Sequence, residues 1–269
     1  MKKVVLNFLV IAAFAISAFT SCKNSDDGDN NGIMGPLLET MTFADDDFAQ
    51  LEYDDKNRIT RISEYSEDTV DETTFIYSGD DLVKVISVNF TIEFAKSKNK
   101  VTFTGTWKNT TIEGTIDLNK DGLPTKKEWK SVEDDNYHGM GLSLLRHSSQ
   151  TYQYSGGNLS ESILFSVAHV VGIEQPTMFP SDERLLSRHI IINYNEYDNN
   201  ISPLYYCKTP IWYWICFDSE FVFGYKNNAT DFSTDGTRSE LRYEYNSDRL
   251  PIKCSKVGED EGIIEYKYK

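Results

Sequence analysis

The chain has 269 residues, of which 39% are hydrophobic and 13% aromatic, and its 42 acidic and 27 basic side chains give a formal charge of −15. This length suits one large β domain or two small ones, and the aromatic content favours strands. The negative charge opposes binding to nucleic acid and to anionic lipid headgroups, so no nucleic-acid partner is predicted.

Residues 1–21 are predicted to be a lipoprotein signal peptide that is removed before folding. Met1-Lys2-Lys3 is a positive start, and the apolar stretch of residues 4–19 is short for a membrane-spanning helix. Phe19-Thr20-Ser21-Cys22 resembles a bacterial lipobox, in which the Cys receives the lipid and becomes the first residue. Cys22 is therefore the predicted lipidation site. The alternative is ordinary cleavage that leaves an incidental thiol.

Residues 22–36 are predicted to be a flexible acidic tether. Most of this segment is small or acidic, and residues 22–32 contain no apolar anchor. Acidic residues directly after the Cys resemble the surface-export signal of Bacteroidota lipoproteins. We therefore expect an outer-membrane lipoprotein at the cell surface, whose only membrane contact is the N-terminal lipid. The alternative is a plain spacer.

Residues 37–269 are predicted to form a single all-β domain. Strand, polar turn and strand recur along it, with turns at residues 54–57, 78–81, 119–122, 155–158, 195–200 and 246–249. Aromatic residues two apart, such as Phe75 and Tyr77, share one face of a strand. We expect one antiparallel meander of about ten to fourteen strands, curled into an open or closed barrel-like sheet, because open twisted sheets rarely exceed about ten strands.

Several of these units resemble motifs of a known group of proteins. Glu52-Tyr53-Asp54, Tyr77-Ser78-Gly79-Asp80, Tyr245-Asn246-Ser247-Asp248 and the ending Glu265-Tyr266-Lys267-Tyr268 are similar to motifs of uncharacterised Bacteroidota surface lipoproteins. The resemblance covers residues 43–269 and implies a porin-like sheet of YD-like β-hairpins. It implies no catalytic residue.

One segment satisfies a calcium-loop pattern. Asp117, Asn119, Asp121 and Glu128 occupy the ligand positions of D-x-[DN]-x-[DN]-G-x5-E, with Gly122 at the sharp turn. Against calcium, the flanks are not amphipathic helices, and residues 245–251 repeat the turn without its acidic ligands. A hairpin turn in which Gly supplies positive φ explains the segment more simply. Calcium remains the alternative, and no other cofactor is predicted.

The most aromatic stretch is Tyr205-Tyr206-Cys207-Lys208-Thr209-Pro210-Ile211-Trp212-Tyr213-Trp214-Ile215-Cys216-Phe217. We expect a strand here, with Trp212 and Trp214 on one face. One interpretation buries the segment inside the curled sheet. The other makes Tyr205, Tyr206, Trp212 and Trp214 a stacking platform for a glycan or for an apolar protein partner.

Three cysteines follow Cys22, namely Cys207, Cys216 and Cys254. An exported chain can keep disulfides, but an odd number allows at most one pair. The alternative is three buried thiols that pack as small hydrophobic side chains. Their spacing matches no zinc-site pattern.

The sequence gives no signature of catalysis. It has no Gly-x-Ser-x-Gly elbow, no His-Glu-x-x-His and no glycine-rich nucleotide motif. We therefore predict a lipid-anchored envelope protein that is a binding or structural module and not an enzyme. One alternative is a carbohydrate-binding accessory lipoprotein that uses residues 205–217. The other is a polysaccharide hydrolase whose two carboxylates the sequence does not identify.

Overall fold

The computed structural model describes residues 35–43, 47–67, 69–108, 110–133, 143–171, 186–217, 226–258 and 262–269. Within these ranges the chain forms sixteen strands and one short helix. The first eight strands are β1 (Leu38–Phe43), β2 (Phe48–Tyr53), β3 (Ile59–Ser66), β4 (Thr69–Ser78), β5 (Asp81–Ser87), β6 (Phe90–Ser97), β7 (Lys100–Trp107) and β8 (Thr110–Leu118). The remaining elements are β9 (Pro124–Glu133), β10 (Ser143–Ser155), β11 (Asn158–Val171), β12 (Leu186–Tyr197), α1 (Ile211–Phe217), β13 (Ala229–Thr234), β14 (Thr237–Tyr245), β15 (Pro251–Lys256) and β16 (Gly262–Tyr268).

The strands form one antiparallel meander that closes into a barrel. Each strand pairs with its neighbours in the chain, and β1 pairs with β16, which places Thr42 opposite Glu265. The predicted all-β meander with a barrel-like sheet is confirmed. The barrel has sixteen strands, more than expected, because short turns divide segments that look like single strands. Residues 82–94, for example, are split into β5 and β6 at Val88-Asn89.

Three turns at one end of the barrel, which we call the turn end, share the same hydrogen bonds. In each, the Oδ1 atom of the first residue accepts hydrogen bonds from the backbone N–H groups two and four residues later, at 2.9–3.0 Å. The first residues are Asp54, Asn119 and Asn246. The fourth residues have positive φ: Asn57 (61°), Gly122 (76°) and Arg249 (64°). Asp and Asn favour this geometry because their side chains bond to the backbone nearby.

The two faces of the barrel wall differ in polarity. Strand alternation directs apolar side chains inward, and the buried ones include Phe75, Ile92, Phe103, Ile116 and Phe232. Described outward positions are mostly charged or carry hydroxyl groups, and many form ion pairs between neighbouring strands, such as Arg61–Glu52 (2.8 Å), Lys84–Glu93 (2.8 Å) and Lys253–Glu265 (3.5 Å). The hydrophobic core therefore lies inside the barrel.

Helix α1 fills part of the barrel interior. It belongs to the long connection between β12 and β13, at the turn end. Its aromatic rings pack against inward side chains of the wall, with centroid distances of 5.2 Å for Tyr213–Phe75 and 5.1 Å for Trp212–Phe94. A helix that is apolar on all sides is stable where every side is enclosed. Among the described residues, no helix has the length and apolar character needed to cross a membrane.

Two glycines allow close packing between neighbouring strands. Gly105 on β7 lies so near β6 that an added Cβ atom would overlap the Thr91 carbonyl oxygen. An added Cβ at Gly114 on β8 would overlap the Glu128 carbonyl oxygen and the Phe103 ring. Backbone can approach this closely only where the side chain is missing.

Candidate functional site

The predicted aromatic platform is divided between the core and the surface. Trp212 and Trp214 lie on α1 with 3% and 1% of their surface exposed, so the interpretation that buries them is the one the fold adopts. The strand predicted for residues 211–217 is wrong, because enclosure inside the barrel favours a helix whose whole circumference is apolar. Tyr205 is 40% exposed and lies with Tyr206 in the turn before α1.

A cavity of about 310 Å³ lies beside these two tyrosines, at the turn end of the barrel. We call it the turn-end pocket. It is lined by two tyrosines, three asparagines, three cationic side chains and one isoleucine: Tyr205, Tyr206, Asn199, Asn200, Asn227, Lys208, Lys226, Arg249 and Ile201. Pockets for small ligands begin at roughly 300 Å³, so the volume suits a ligand of one or two rings.

Asparagine side chains hold one wall of the turn-end pocket in place. Asn158, at the start of β11, accepts hydrogen bonds through Oδ1 from the backbone N–H groups of Lys226 (2.9 Å) and Asn227 (3.1 Å). The Asn227 amide donates to the Asn200 carbonyl oxygen at 2.9 Å. These bonds connect the β10–β11 hairpin to both ends of the connection that carries α1, so the lining is fixed before a ligand arrives.

Arg249 joins the turn-end pocket from the turn between β14 and β15. Its Nε donates to Asn200 Oδ1 at 3.1 Å, and its Nη2 donates to the Asn199 carbonyl oxygen. A guanidinium group offers five N–H donors in a rigid plane. Within the described part of the chain Nη1 donates no hydrogen bond, so it is available to a ligand.

Among the described residues, the lining of the turn-end pocket includes cations and no carboxylate. Lys208, Lys226 and Arg249 form no ion pair with any acidic side chain in the described ranges, whereas cations on the barrel wall such as Lys84 and Lys253 are paired. The concentration of unpaired positive charge at one pocket is unusual for a chain with a formal charge of −15.

Gly35, which precedes β1, lies next to the turn-end pocket. The Gly35 backbone lies against the Tyr206 ring, where an added Cβ would overlap ring atoms. Tyr206 in turn makes an edge contact with Tyr205, at a centroid distance of 5.2 Å. Leu37 is hydrogen-bonded to Lys269, with Leu37 N donating to the Lys269 carbonyl oxygen at 3.1 Å. Gly35, near the end of the predicted tether, thus lies beside this pocket.

No family model and no curated protein matches this chain. Its similar solved structures include a porin-like protein from Bacteroides vulgatus, 11% identical, with a TM-score of 0.44 over 87% of this chain and 98% of that one. Another is a porin-like protein from Bacteroides uniformis, 11% identical, with a TM-score of 0.31 over 86% of this chain and 95% of that one. Membership of a lipoprotein family stays a prediction. The function proposed below rests on the residues of this chain.

The four residues of the calcium-loop pattern are engaged with other groups. Asn119 Oδ1 accepts two backbone hydrogen bonds within the turn. Asp117, Asp121 and Glu128 form ion pairs with Lys100 (3.3 Å), Lys120 (2.9 Å) and Lys126 (2.6 Å), respectively. Across the described ranges, no group of three or more His, Cys, Asp or Glu side chains is arranged to hold a metal. The loop has the same turn geometry as its counterpart at Asn246, and calcium binding stays an untested prediction.

Lys127 lies inside the barrel and contacts the end of α1. It is 7% exposed, and its Nζ donates to the Cys216 carbonyl oxygen at 2.6 Å. The same atom lies 4.0 Å from the Phe217 ring centroid and 4.5 Å from that of Trp129. Burial lowers the pKa of Lys127 to about 8. In the sequence, the only indication that Lys127 is buried is its spacing from Trp129, which places both side chains on the inward face of β9.

The three later cysteines are free thiols, and Cys22 lies outside the described residues. Cys216 and Cys254 are buried and Cys207 is half-buried. Burial raises the pKa of the Cys216 thiol to about 11 and that of Cys254 to about 12. Thiols in such surroundings are unreactive because they rarely form the thiolate. The structure therefore agrees with the interpretation in which the three cysteines pack as small hydrophobic side chains, and not with a disulfide.

A shallow groove of about 580 Å³ crosses the outer face of β7–β11. Its lining includes Glu113, Glu128, Lys130, His147 and Phe165. Glu113 is paired with Lys130, and Glu128 is also paired with a neighbouring lysine. The charged groups of this groove therefore satisfy one another, unlike those of the turn-end pocket.

One carboxyl group outside the turn-end pocket has a raised pKa. Glu64 on β3 lies opposite Asp71 on β4. Burial, and then repulsion by the Asp71 carboxylate, raise the pKa of Glu64. Neither residue lines the turn-end pocket. The hydrolase alternative stays untested.

Proposed function

We propose that this chain is a lipid-anchored, non-catalytic binding module of the cell envelope that holds a saccharide in the turn-end pocket. The observation that carries the proposal is the lining of that pocket, where the half-exposed ring of Tyr205 lies beside three asparagines. An aromatic ring stacks on the apolar face of a sugar. Amide groups both donate and accept hydrogen bonds, as sugar hydroxyl groups do.

The polar outer face and apolar interior of the barrel support the proposal that its outer face contacts water. Barrels that span membranes carry an apolar outer band and a polar interior. Here ion pairs such as Arg61–Glu52 lie outside, and apolar rings surround α1 inside. The lipid on Cys22 is then the proposed membrane contact, and the barrel is a rigid body that presents its turn end.

The chemistry of the turn-end pocket supports binding without turnover. Glycoside hydrolysis needs two carboxyl groups that flank the scissile bond. Among the described residues, the lining supplies amides, phenols and cations and no carboxyl group. A saccharide held there therefore meets no described pair of carboxyl groups of the kind that glycosidases use.

A glycan panel tests the proposal on the purified full chain. Titration calorimetry should identify at least one oligosaccharide that binds without release of products. Tyr205→Ala should weaken that binding about tenfold, because it removes the stacking surface. Phe165→Ala is the matched control, since Phe165 is an exposed ring (48%) on the barrel wall. A panel without binding, or equal effects of the two substitutions, would contradict a saccharide site at Tyr205.

A further inference from the structure

The charge of the turn-end pocket is opposite to that of the molecule. The chain carries 42 acidic and 27 basic side chains, so its overall field repels anions. Cations on the barrel wall, such as Lys84, Lys100 and Lys253, each have a carboxylate within ion-pair distance, at 2.8, 3.3 and 3.5 Å. Lys208, Lys226 and Arg249 have none among the described residues.

Three like charges around one small cavity repel one another. The cavity of about 310 Å³ brings Lys208, Lys226 and Arg249 to a common lining, and no acidic side chain from the described ranges offsets them there. An anionic group placed between them would replace this repulsion by attraction, and hydrogen bonds to charged groups are stronger than neutral ones. A neutral ligand would leave the repulsion in place.

The Arg249 side chain and the Lys226 backbone are also positioned in advance. Arg249 is held by Asn199 and Asn200 through Nε and Nη2. The backbone of Lys226 is held by Asn158. Binding therefore requires little ordering of the Arg249 guanidinium group, and groups that are ordered beforehand bind with less loss of entropy.

We propose that the turn-end pocket recognises an acidic saccharide, meaning a sugar ring that carries a carboxylate or a sulfate group. This inference rests on the proposed saccharide site and adds the charge of its ligand. Tyr205 contacts the ring, Lys208, Lys226 and Arg249 contact the anionic group, and Asn227 and Asn199 bond to hydroxyl groups.

The test compares acidic sugars with neutral sugars of the same shape. The full chain is titrated with a galacturonic acid trimer and a galactose trimer, and with a sulfated disaccharide and its unsulfated parent. We expect one acidic sugar to bind at least about tenfold more tightly than its neutral counterpart. Raising the salt concentration from about 50 to about 300 mM should reduce that preference, because salt screens exposed charges.

Substitutions assign the preference to the pocket. Lys226→Gln should remove most of the preference for the acidic sugar over its neutral counterpart, and Lys226→Arg should restore it. Lys267→Gln is the matched control, because Lys267 is an exposed lysine on the outer face of β16 and makes the same change in net charge. Equal effects of Lys226→Gln and Lys267→Gln would overturn the assignment.

Other outcomes separate this inference from the function on which it rests. Equal binding of acidic and neutral sugars, with both lost in Tyr205→Ala, would overturn the inference and leave the saccharide site standing. Inorganic sulfate that binds as tightly as the sulfated sugar would overturn the inference in favour of a free anion. Binding of Cys22→Ser protein to phosphatidylglycerol vesicles, lost in Lys226→Gln, would overturn it in favour of a lipid surface. Absence of binding to every sugar would overturn both proposals.

Discussion

Lys127 is a cation enclosed by aromatic rings and a helix end. Desolvation lowers its pKa from an ordinary 10.5 to about 8. The Cys216 carbonyl oxygen at 2.6 Å and the Phe217 ring at 4.0 Å favour the charged form and oppose that shift. Removal of Lys127 would leave the Cys216 carbonyl oxygen buried without a hydrogen-bond donor. The hydrogen bond between these two residues therefore links the end of α1 to β9.

The buried lysine predicts a particular dependence of stability on pH. Between pH 8 and 10.5 the unfolded chain binds a proton at Lys127 that the folded chain has lost, so the free energy of unfolding rises with pH across that window. The penalty for the buried charge is fully present below the window. Compared with wild type, Lys127→Met should lack this rise, which is at most about 3 kcal/mol.

Urea unfolding at several pH values from about 7 to about 9.5 measures this difference. The control is Lys130→Met, which changes a lysine on the outward face of the same strand. Its pH dependence should follow that of wild type. If Lys127→Met and wild type show parallel pH profiles, Lys127 does not titrate as its burial implies.

Helix α1 is the element whose type the sequence does not determine. Its seven residues are all apolar, so they have neither the alternation of a half-buried strand nor the periodicity of an amphipathic helix. Pro210 precedes it, which suits a helix start and equally the end of an extended segment. Residues distant in sequence determine that this segment is a helix, because Phe75, Phe94 and Phe103 leave a space inside the barrel that an apolar helix fills.

Strand β7 carries the glycine that governs its contact with β6. Gly105→Ala should lower the free energy of unfolding by about 3 kcal/mol, the upper end for overpacked sites, because the new methyl group meets the Thr91 carbonyl oxygen. Gly79→Ala is the control. It has positive φ (61°) and no neighbour within 4 Å, so it should cost about 1 kcal/mol from backbone strain alone.

Thermal and urea unfolding of both glycine variants provide the measurement. A similar loss at the two positions would mean that β6 and β7 separate easily, and the close approach at Gly105 would then have no role in stability. A larger loss at Gly105 supports strand packing as the reason for the glycine.

At the scale of the whole molecule, the charged outer face and the proposed lipid on Cys22 give one joint prediction. Wild-type protein should require detergent for extraction from membranes, because its lipid inserts in the bilayer. Cys22→Ser protein, directed to the same compartment, should be soluble and monodisperse without detergent, because water solvates the ion pairs of the barrel wall.

Membrane fractionation followed by light scattering measures both parts. Metabolic labelling with a fatty-acid analogue should mark wild-type protein and not Cys22→Ser. Cys207→Ser is the control, since Cys207 belongs to the barrel and should keep the label. If Cys22→Ser protein still needs detergent, the wall itself contacts lipid and the proposed orientation is wrong.

The sequence predicts well the features that residues close in the chain form together, and it predicts poorly the contacts between residues far apart in the chain. The hairpins follow from alternation and from turn residues, so Asp54, Asn119 and Asn246 could be placed in turns. Closure of the barrel depends on β1 meeting β16, which no local pattern encodes. Strand number was underestimated because a turn such as Val88-Asn89 lacks the usual glycine or proline.

The candidate site was predicted only in part for the same reason. Tyr205 and Tyr206 stand out because aromatic residues are dense there, and they do line the turn-end pocket. Their partners Lys226 and Arg249 lie far along the chain, in segments of ordinary polar composition. A pocket assembled from separate turns leaves no continuous motif, so its positive charge becomes visible only after folding.

The pairing of β1 with β16 also bears on how the chain reaches its folded state. Leu38 lies opposite Tyr268, so the barrel cannot close until nearly the whole chain is present. Contacts between such distant segments form slowly. Until β16 is in place, β1 and β15 each expose an edge that can pair with another chain. A chain of this design therefore needs protection from its own copies while it folds, and loss of the last strand would turn the barrel into an aggregating open sheet.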